Sequence, residues 1–406
     1  MAMDFPATPA VGDLYPDPPV VDVPQYRWDG FVWRAIAPPE GLVYVRRAGD
    51  VMTGALGLPG NAVTALQAVP KQQLYDVAGG GLAYSGMQIN GSMEVSQENG
   101  ATLVSSPNLG RKFVLDGWFI CSSGPQTGSA LQNDTHRPPG FRNCLHLLAT
   151  GSGNPSPAGF DYLFASQIIE GLRTTRLQWG SASALSITIA FWVYSTRAGV
   201  HSGSIQNAGT TRSYPFTFTV NAVAVWEYKV VTIPGDTTGT WLTDNGTGLY
   251  INFVGLLGAS LSAPAGAWVA GNKIGATGAI NPIQTTSDSL LITGVVVLPG
   301  IYAPTAAQSP LIMRPYDQEL VTCQRYFQVQ IICLQGSAAG YWMMPWPLKT
   351  SMRASPTVTN VIPGGQNGAS VSSEYFGDVS GGSIQILASA ASWNILNRTS
   401  HFDARL

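Results

Sequence analysis

Carboxyl groups are the first side chains to consider, because glycoside hydrolysis uses two of them about 5–10 Å apart across the scissile bond. The central part of the chain offers six: Asp161, Glu170, Glu227, Asp236, Asp244 and Asp288. Asp236 and Asp244 stand among Gly and Thr residues, where an Asp side chain commonly accepts hydrogen bonds from the amides of a turn. Loop oxygens of this kind can also bind Ca²⁺, but we favour the turn role. The sequence therefore predicts no catalytic carboxylate pair and no metal site.

No other motif of enzyme chemistry stands out in the sequence. It contains no GxSxG, HExxH or GxxxxGK[ST] segment and no GxGxxG after a strand. The histidines lack the spacing of metal ligands and are expected in loops or at the surface: His136, His146, His201 and His401. The cysteines lack a CxxC spacing and are expected to be reduced, buried thiols of a protein made in a cytosol: Cys121, Cys144, Cys323 and Cys333. We predict a protein without catalytic residues, metal or cofactor.

Aromatic side chains offer a different chemistry, because the C–H face of a sugar stacks on a Trp or Tyr ring. Tyr341, Trp342 and Trp346 lie in a segment interrupted by Gly and Pro, where the alternation of a strand fails. They are the predicted ligand-binding residues, and packing against a neighbouring subunit is an equal alternative. Three other tryptophans lie in or beside alternating strands and are predicted to be core residues: Trp179, Trp192 and Trp226.

The composition excludes several classes of protein. Charged residues make up 11% of the 406 residues, against about 25% in an average soluble domain. The net charge of −2, with 21 Lys and Arg spread along the chain, argues against nucleic-acid binding, which requires clustered cations. No apolar stretch reaches the about 20 residues of a membrane helix, so no membrane insertion is expected. The N-terminus lacks the basic and apolar regions of a signal peptide.

The N-terminal region is dense in proline and encloses one hairpin signal. Proline removes a backbone donor and disfavours helix at the residue before it, so this region is not helical. Asp29-Gly30, within the aromatic and β-branched segment 26–33, predicts a hairpin with a type I′ turn.

A short helix is predicted further along the chain. Pro70 is suited to begin it, and Leu74 and Val77 lie on one face. A helix of about eight residues is unstable alone in water. We therefore expect identical copies of the chain to pack there as a homotrimer.

The rest of the chain has the pattern of an all-β protein. Residues 79–110 are rich in Gly, Ser and Asn and are interpreted as a connector with one or two short strands. Between Phe113 and about Pro310, short runs with period-two alternation are separated by turn residues. In the run 185–194, for example, Leu, Ile, Phe and Val occupy the odd positions. About eight such strands without a long amphipathic helix predict a β-sandwich of jelly-roll type.

Two segments near the N-terminus resemble bacteriophage tail proteins. Residues 49–60 and 65–76 are similar to the element "GDxMTGxLxLPG…LQAxxKxxxD" that recurs in phage fibres and tail proteins. The Trp-Asp-Gly-x-x-Trp sequence that begins at Trp28 looks like the N-terminal modules of the same proteins. This resemblance implies a virion-attachment module followed by a trimerising neck.

A second resemblance covers roughly residues 110–330. The segments 171–179, 185–195, 226–234 and 291–300 lead to Glu319 and then to Cys-Gln-Arg-Tyr-Phe at 323–327. Their order and spacing resemble the carbohydrate-binding-module-like sandwich of phage tail fibres, which commonly ends in "E…CQRYF". Met-Arg-Ala-Ser-Pro-Thr at 352–357 is similar to a "MRAxPT" segment of the same fibres. The resemblance implies a jelly-roll domain that binds a host glycan.

Together these patterns predict four regions. Residues 1–48 form a virion-attachment module, 49–110 a neck and connector, 111–318 the jelly-roll sandwich and 319–406 a small β tip domain. The expected function is that of a phage tail fibre or receptor-binding protein, which binds a host surface glycan or protein without covalent chemistry. Expected partners are two further copies of the chain, a baseplate or hub protein at the N-terminus, and the host receptor.

Two other functions remain open from the sequence. The first is a surface-polysaccharide depolymerase on the same scaffold. The second is a purely structural decoration or collar protein of the virion. In each case the protein is expected in the virion tail, after assembly in the host bacterial cytoplasm.

Overall fold

The structure, a computed structural model, describes residues 5–18, 24–36, 86–106, 110–151, 153–336, 339–362, 365–367, 369–375, 379–388 and 393–406. The predicted helix after Pro70 and the phage-like segment 49–76 lie outside the described residues. The chain divides into two compact units, Met1–Gln73 and Leu74–Leu406. Among the described residues, no helix is long and apolar enough to span a bilayer.

The first unit contains a three-stranded antiparallel sheet held together by aromatic rings. Its strands are β1 (Leu14–Tyr15), β2 (Tyr26–Trp28) and β3 (Trp33–Ala35), in that spatial order. The ring of Phe5 stacks on Trp33 at 5.2 Å and meets Tyr26 edge-on at 5.2 Å. Such ring pairs supply a small apolar core to a segment with few other apolar contacts. The predicted hairpin is confirmed.

The predicted turn of this hairpin is wrong in type. Trp28 pairs with Trp33, so the loop has four residues, and only Gly30 has a positive φ, at +100°. Asp29 explains the difference, because its Oδ1 accepts the amides of Phe31 and Val32 at 2.9 Å each. Its other oxygen pairs with Arg34 at 2.5 Å. These donors lower the pKa of Asp29 to about 2, the Arg34 bond having the largest effect. The side chain thus organises a longer loop.

The second unit contains a β-sandwich of two antiparallel sheets. The six-stranded sheet comprises, in spatial order, β13 (Glu227–Ile233), β10 (Ile187–Ser195), β18 (Ser289–Pro299), β8 (Cys144–Thr150), β7 (Thr127–Asn133) and β4 (Val104–Ser106). The seven-stranded sheet comprises β16 (Val269–Ala270), β12 (Arg212–Val220), β11 (Gly199–Gln206), β14 (Thr247–Leu257), β9 (Tyr162–Glu170), β6 (Trp118–Ser123) and β5 (Gly110–Leu115). Two short strands, β15 (Ser262–Ala263) and β17 (Gly275–Ala276), pair in parallel. The predicted all-β jelly-roll class is confirmed.

The described helices are short. The α-helices are α1 (Gly171–Thr174) and α2 (Tyr316–Gln324), and single 3₁₀ turns span Thr175–Leu177 and Ala259–Leu261. Sequence analysis missed α2, although Pro315 precedes it and Asp317 and Glu319 lie in its first turn. Acidic residues at that end are stabilised by the helix dipole.

The core of the sandwich follows from the alternation of its strands. In β10 the odd positions from Ile187 to Val193 are fully buried in the main core cluster, as predicted. Phe191 meets Phe253 of the opposite sheet at 4.9 Å, so the two sheets interdigitate directly. Leu185, predicted on the same face, precedes the strand and is exposed.

Residues 86–95, predicted to be part of a connector, are packed into the sandwich. Met87 and Met93 belong to the main core cluster. The buried Asn90 donates to the carbonyl groups of Val95 and Asp116 and receives a bond from Val95. This segment therefore replaces strand pairing with side-chain hydrogen bonds, which is why period-two alternation does not reveal it. Further along the predicted connector, the described residues include the short strand β4 and the start of β5 at Gly110.

The remaining strands build a smaller pair of sheets after Tyr326. One sheet contains β19 (Phe327–Gly336), β25 (Trp393–Asp403) and β21 (Thr357–Ile362), and β22 (Gly365–Asn367) also pairs with β25. The other contains β20 (Gly340–Pro347), β24 (Gly381–Ala388) and β23 (Ala369–Tyr375). We call this part the tip.

Buried ion pairs and stacked arginines join the tip to the sandwich. Glu170, at the end of β9, accepts Arg325 Nη2 at 2.8 Å and the Tyr326 hydroxyl at 2.7 Å. Arg405 lies between the rings of Phe113 and Phe327, 4.2 and 4.3 Å from their centroids. The "CQRYF" segment thus has a structural role here, because it holds the tip against the sandwich.

All four cysteines are free thiols in the structure. Cys144 and Cys323 are buried, as expected, whereas Cys121 is half-buried and Cys333 is exposed.

Candidate functional site

The outward face of the seven-stranded sheet carries an open cleft. In β9 the residues Leu163, Ala165 and Ile169 belong to the core, so Phe164 and Ser166 point outward. The pairing register places Ser166 between Phe119 of β6 and Asn252 of β14. Side chains of directly paired residues lie on the same face of a sheet. These three residues therefore form one row across the outward face.

The cleft combines aromatic walls with amide side chains. Its volume is about 180 Å³, smaller than the about 300–1,000 Å³ of an enclosed small-molecule pocket. An open cleft of this size suits part of a chain molecule better than a whole enclosed ligand. The lining residues are the aromatic Phe119, Tyr162, Phe164 and Tyr250, the polar Gln206, Thr210, Asn252 and Asn272, and Arg111, Cys121 and Ile274.

The amides are fixed by a relay of hydrogen bonds. Asn252 Nδ2 donates to Gln206 Oε1 at 2.8 Å and to Ser204 Oγ at 3.0 Å. Gln206 Nε2 in turn donates to Asn272 Oδ1 at 2.8 Å. Asn252 and Gln206 are buried, whereas Asn272 is exposed at the rim. Each bond fixes which atom of the amide faces the next, so the polar groups are pre-organised.

Ser166 is the one polar group in this row without a partner. Its side chain is fully buried, and its Oγ forms no hydrogen bond with any described residue. Two other buried polar atoms of the described residues share this property, Arg197 Nε and His201 Nδ1. A buried hydroxyl left unbonded costs about 1–3 kcal/mol. Ser166 has no exposed surface and does not itself line the cleft, although its strand neighbours Phe119 and Asn252 do.

Arg111 supplies the only formal charge among the residues that line the cleft. Its guanidinium carbon lies 4.6 Å from the centroid of the Phe119 ring and 5.9 Å from that of Tyr250. Its Nη1 donates to the backbone carbonyl of Leu406.

Tyr162 and Cys121 keep their protons at neutral pH, because burial raises the pKa of each. Burial, followed by the influence of Cys121, raises the pKa of Tyr162 to about 12. Burial also raises the pKa of Cys121 above its ordinary value. Among the described lining residues there is no Asp or Glu. The cleft can therefore stack on a ligand and form hydrogen bonds with it.

The acidic residues considered as catalysts lie outside the cleft and have structural partners. Asp236 pairs with Arg212 at 2.7 Å, Asp288 with Arg197 at 2.9 Å and Glu227 with Lys229 at 2.6 Å.

Two further carboxylates close turns. Asp244 accepts the amide of Gly246 at 2.8 Å, and Asp161 accepts that of Ala158 at 2.9 Å. The predicted turn role of Asp244 is thus observed. In the described part of the chain, no group of three or more His, Cys, Asp or Glu is arranged to hold a metal ion.

The three aromatic residues predicted to bind a ligand are placed differently from one another. Tyr341 is 72% exposed and Trp342 is 37% exposed, both on β20. Trp346 is only 5% exposed, donates to Gln330 Oε1 at 2.9 Å and meets Phe402 edge-on at 4.9 Å. A ring packed in the core of the tip has no face left for a sugar. Binding by Tyr341 and Trp342 stays a prediction.

The three tryptophans predicted to be core residues are half-buried. Trp179 packs at the margin of the core together with Trp241 and Trp268, 4.6 and 5.3 Å away. Trp192 lies on the outward face of the six-stranded sheet, because even positions of β10 face outward. Trp226, just before β13, packs 5.7 Å from Tyr194, another even position of β10. Core placement is therefore wrong for both residues.

A larger cavity of about 340 Å³ lies elsewhere, lined by Glu94, Gln132, Asp134, Arg142, Asn143 and Tyr316. Burial raises the pKa of Glu94, and Arg142 opposes this effect. Its charged lining residues are two carboxylates, Glu94 and Asp134, and one arginine, and Tyr316 is its only aromatic residue. We favour the cleft, which has four rings and an amide relay.

Comparisons with known proteins give only distant structural likenesses. No protein-family model matches the chain, and no curated protein matches it either. A putative sugar-binding protein from Bacteroides thetaiotaomicron has 12% identity and a TM-score of 0.29, covering 53% of this chain and 99% of its own. The family 11 carbohydrate-binding module from Clostridium thermocellum has 15% identity and a TM-score of 0.24, covering 49% and 100%.

A phage protein is also among the similar structures. The enzymatically active domain of tailspike protein 4 from bacteriophage CBA120 has 11% identity and a TM-score of 0.25. The match covers 53% of this chain but only 22% of that domain. At such TM-scores these likenesses carry no argument about ligand or activity, so the cleft must be judged on its own geometry.

Proposed function

We propose that the chain is a glycan-binding adhesion protein and that the cleft is its binding site. The observation that carries this proposal is the lining of the cleft, in which four aromatic rings stand beside the amide relay that begins at Asn252. Sugars present both C–H faces and hydroxyl groups, so they match a surface of this composition. The open cleft suits a few sugar units of a longer chain.

We further propose that this adhesion serves a bacteriophage, as a tail fibre or receptor-binding protein. The support comes from the sequence, in the phage-like segments at 49–76 and in the ordered motifs that end with Phe327. In this proposal three copies assemble through the neck, and residues 1–48 attach to a baseplate or hub protein in the virion tail. The sandwich would then hold the host glycan.

Binding without hydrolysis is also part of the proposal. The described lining residues of the cleft include no carboxylate, and the carboxylates considered above pair with Arg, Lys or backbone amides. If the purified protein releases reducing ends from a host surface polysaccharide, the depolymerase alternative replaces ours. If virions without the protein adsorb normally, the structural alternative replaces it.

The direct test is retention of the full-length protein on an array of bacterial surface polysaccharides. Asn252→Ala removes the amide that bonds Ser204 and Gln206, and should weaken binding about 10- to 100-fold by removing a hydrogen-bonding group and leaving its partners unsatisfied.

Asn143→Ala is the matched control, because Asn143 lines the larger cavity and not the cleft. It should bind as the wild type does. If Asn143→Ala loses binding while Asn252→Ala keeps it, the glycan site is the larger cavity. If the wild type binds no polysaccharide, the proposed function is wrong.

A further inference from the structure

We propose that the cleft selects acidic glycans, those with uronic acid or another carboxylated sugar, and that Arg111 is the residue that makes this selection. The inference rests on the proposed function and adds the chemical class of the ligand. It differs from the expectation of a neutral glycan that the low overall charge would suggest.

The position of Arg111 in the sheet is the first support. Its strand pairing aligns Arg111 with Cys121, and Cys121 with Phe164, so all three share one row of the outward face. This row is adjacent to the row of Phe119, Ser166 and Asn252. A carboxylate on a sugar whose ring stacks in the cleft would therefore lie within reach of the guanidinium.

The guanidinium is also held in place. It stacks over Phe119 at 4.6 Å, one nitrogen donates to the Leu406 carbonyl, and the other lies 3.5 Å from the Tyr250 hydroxyl. A guanidinium has five N–H donors, and these contacts engage only two of them. The rest form a planar, pre-organised fork of the kind that binds carboxylates in a bidentate manner.

The charge of Arg111 is not neutralised by an acidic side chain in the described part of the protein. No Asp or Glu there lies within 4 Å of its nitrogens, whereas Arg212, Arg314 and Arg325 each pair with a buried carboxylate. Arg111 resembles Arg353 instead, which bonds main-chain oxygens, because its shortest contact is with a main-chain oxygen of Leu406. The other residues that line the cleft are neutral, so Arg111 is its one cationic group.

A purely structural role for Arg111, tying the C-terminal residues to β5, is the alternative. Such a role predicts an effect on stability and none on the choice between acidic and neutral ligands. The two roles therefore differ in the ratio of the affinity for an acidic ligand to the affinity for a neutral one. An overall loss of folding or binding lowers both affinities and leaves this ratio unchanged.

The experiment uses polysaccharides of many bacterial strains, each printed in its native form and after chemical reduction of its carboxyl groups to alcohols. We expect the wild type to retain at least one native acidic polysaccharide about tenfold better than its reduced form, the size of a charge-assisted hydrogen bond. The preference should fall as NaCl rises from about 0.01 to about 1 M, since the Debye length shrinks from about 30 to about 3 Å.

Variants assign the preference to the residue. Arg111→Gln should bring the ratio of native to reduced binding close to one, and Arg111→Lys should keep part of it. Lys112→Gln is the matched control, because it removes one positive charge from an exposed neighbour on the same strand that does not line the cleft. It should keep the wild-type ratio.

The outcomes separate this inference from the proposed function. Binding of polysaccharides with equal affinity for native and reduced forms leaves the proposed function standing and overturns the acidic selection. A wild-type preference that survives in Arg111→Gln overturns the role of Arg111. Absence of binding to every polysaccharide overturns the proposed function, and this inference with it.

Discussion

The two outward faces of the sandwich carry similar aromatic residues but differ in whether their polar atoms have hydrogen-bond partners within the protein. On the six-stranded sheet, Trp192 Nε1 donates to Ser309 Oγ at 2.9 Å and the Tyr228 hydroxyl donates to the Pro304 carbonyl at 2.8 Å. Both partners belong to the segment 300–313, which also buries Ile312 against Val296 and Leu298. We call this the covered face. On the seven-stranded sheet, the Ser166 hydroxyl has no partner and Asn272 is exposed.

The difference shows which feature distinguishes a binding surface from a packing surface. Aromatic rings at alternate strand positions occur on both faces, so they do not identify a site. Among the described residues, the unused hydrogen-bonding capacity on the seven-stranded sheet is that of Ser166, which lies between Phe119 and Asn252 of the cleft. Unused polar groups near rings are therefore the better indicator of a ligand site.

The largest expected effect concerns the response of the covered face to acid. Burial, with a smaller contribution from His136, lowers the pKa of His146 to about 4, whereas an unfolded chain titrates near 6.5. The stability from the neutral imidazole is complete above pH 6.5 and is lost as the pH falls toward 4. The free energy of unfolding should therefore decrease by about 2–3 kcal/mol over this range, as measured by urea unfolding.

His146→Gln serves as the control for this effect. Gln does not titrate, so the variant should lack this decrease, and the difference between the two pH profiles isolates His146. Subtracting the two pH profiles is necessary because Asp116 has the opposite effect on stability. Burial raises the pKa of Asp116 to about 6, so its protonation favours the folded state at low pH. Glycan affinity of the cleft should stay constant from pH 5 to 8, since the pKa of Tyr162 is about 12. Equal pH profiles for both proteins would contradict the prediction.

A smaller effect is expected when the covered face loses one hydrogen bond. Trp192→Phe removes the donor to Ser309 and part of the ring, and should lower the free energy of unfolding by about 1–2 kcal/mol. Binding of the glycan that the wild type retains should not change. A loss of affinity at wild-type stability would mean that the covered face is the binding surface.

Much of the fold could be predicted from local patterns. Alternation in β10 identified its core positions, and the aromatic segment around Asp29 identified the N-terminal hairpin. Residues 86–95 could not be recognised, because their backbone groups bond side chains such as Asn90 and Gln167 and isolated main-chain groups of β18, which leave no periodic signal. The loop at Asp29 was assigned to the wrong turn type because one carboxylate can cap two amides.

The site was harder to predict than the fold. Its residues come from β5, β6, β9, β11 and β14 and from the loops near Asn272, so they meet only through the pairing register. The sequence contains one usable signal: Tyr162, Phe164 and Ser166 lie opposite the apolar odd positions of β9. Trp346 illustrates the reverse error, since a Pro-interrupted strand looked irregular although its ring packs in the tip.

The smallest expected effect is also the one that tests the comparison most directly, because it has opposite signs for stability and binding. Ser166→Ala removes the unbonded hydroxyl without changing the rest of the row. In the free protein the change should be neutral or should stabilise by up to about 1 kcal/mol, since a desolvated group without a partner is removed. Affinity for the retained glycan should fall about three- to tenfold if the ligand reaches the hydroxyl beside Asn252, and should not change if Ser166 stays enclosed.

Ser204→Ala is the control for this pair of measurements. Ser204 lies in the same row, but its Oγ accepts Asn252 Nδ2 at 3.0 Å, so its removal should destabilise the free protein by about 1 kcal/mol. Opposite signs of the change in the free energy of unfolding for the two serine variants would establish that the Ser166 hydroxyl has no partner in the free protein and remains available to a ligand. If Ser166→Ala instead destabilises the free protein and leaves the affinity unchanged, the hydroxyl is satisfied by an internal water, and the two faces differ only in how they are covered.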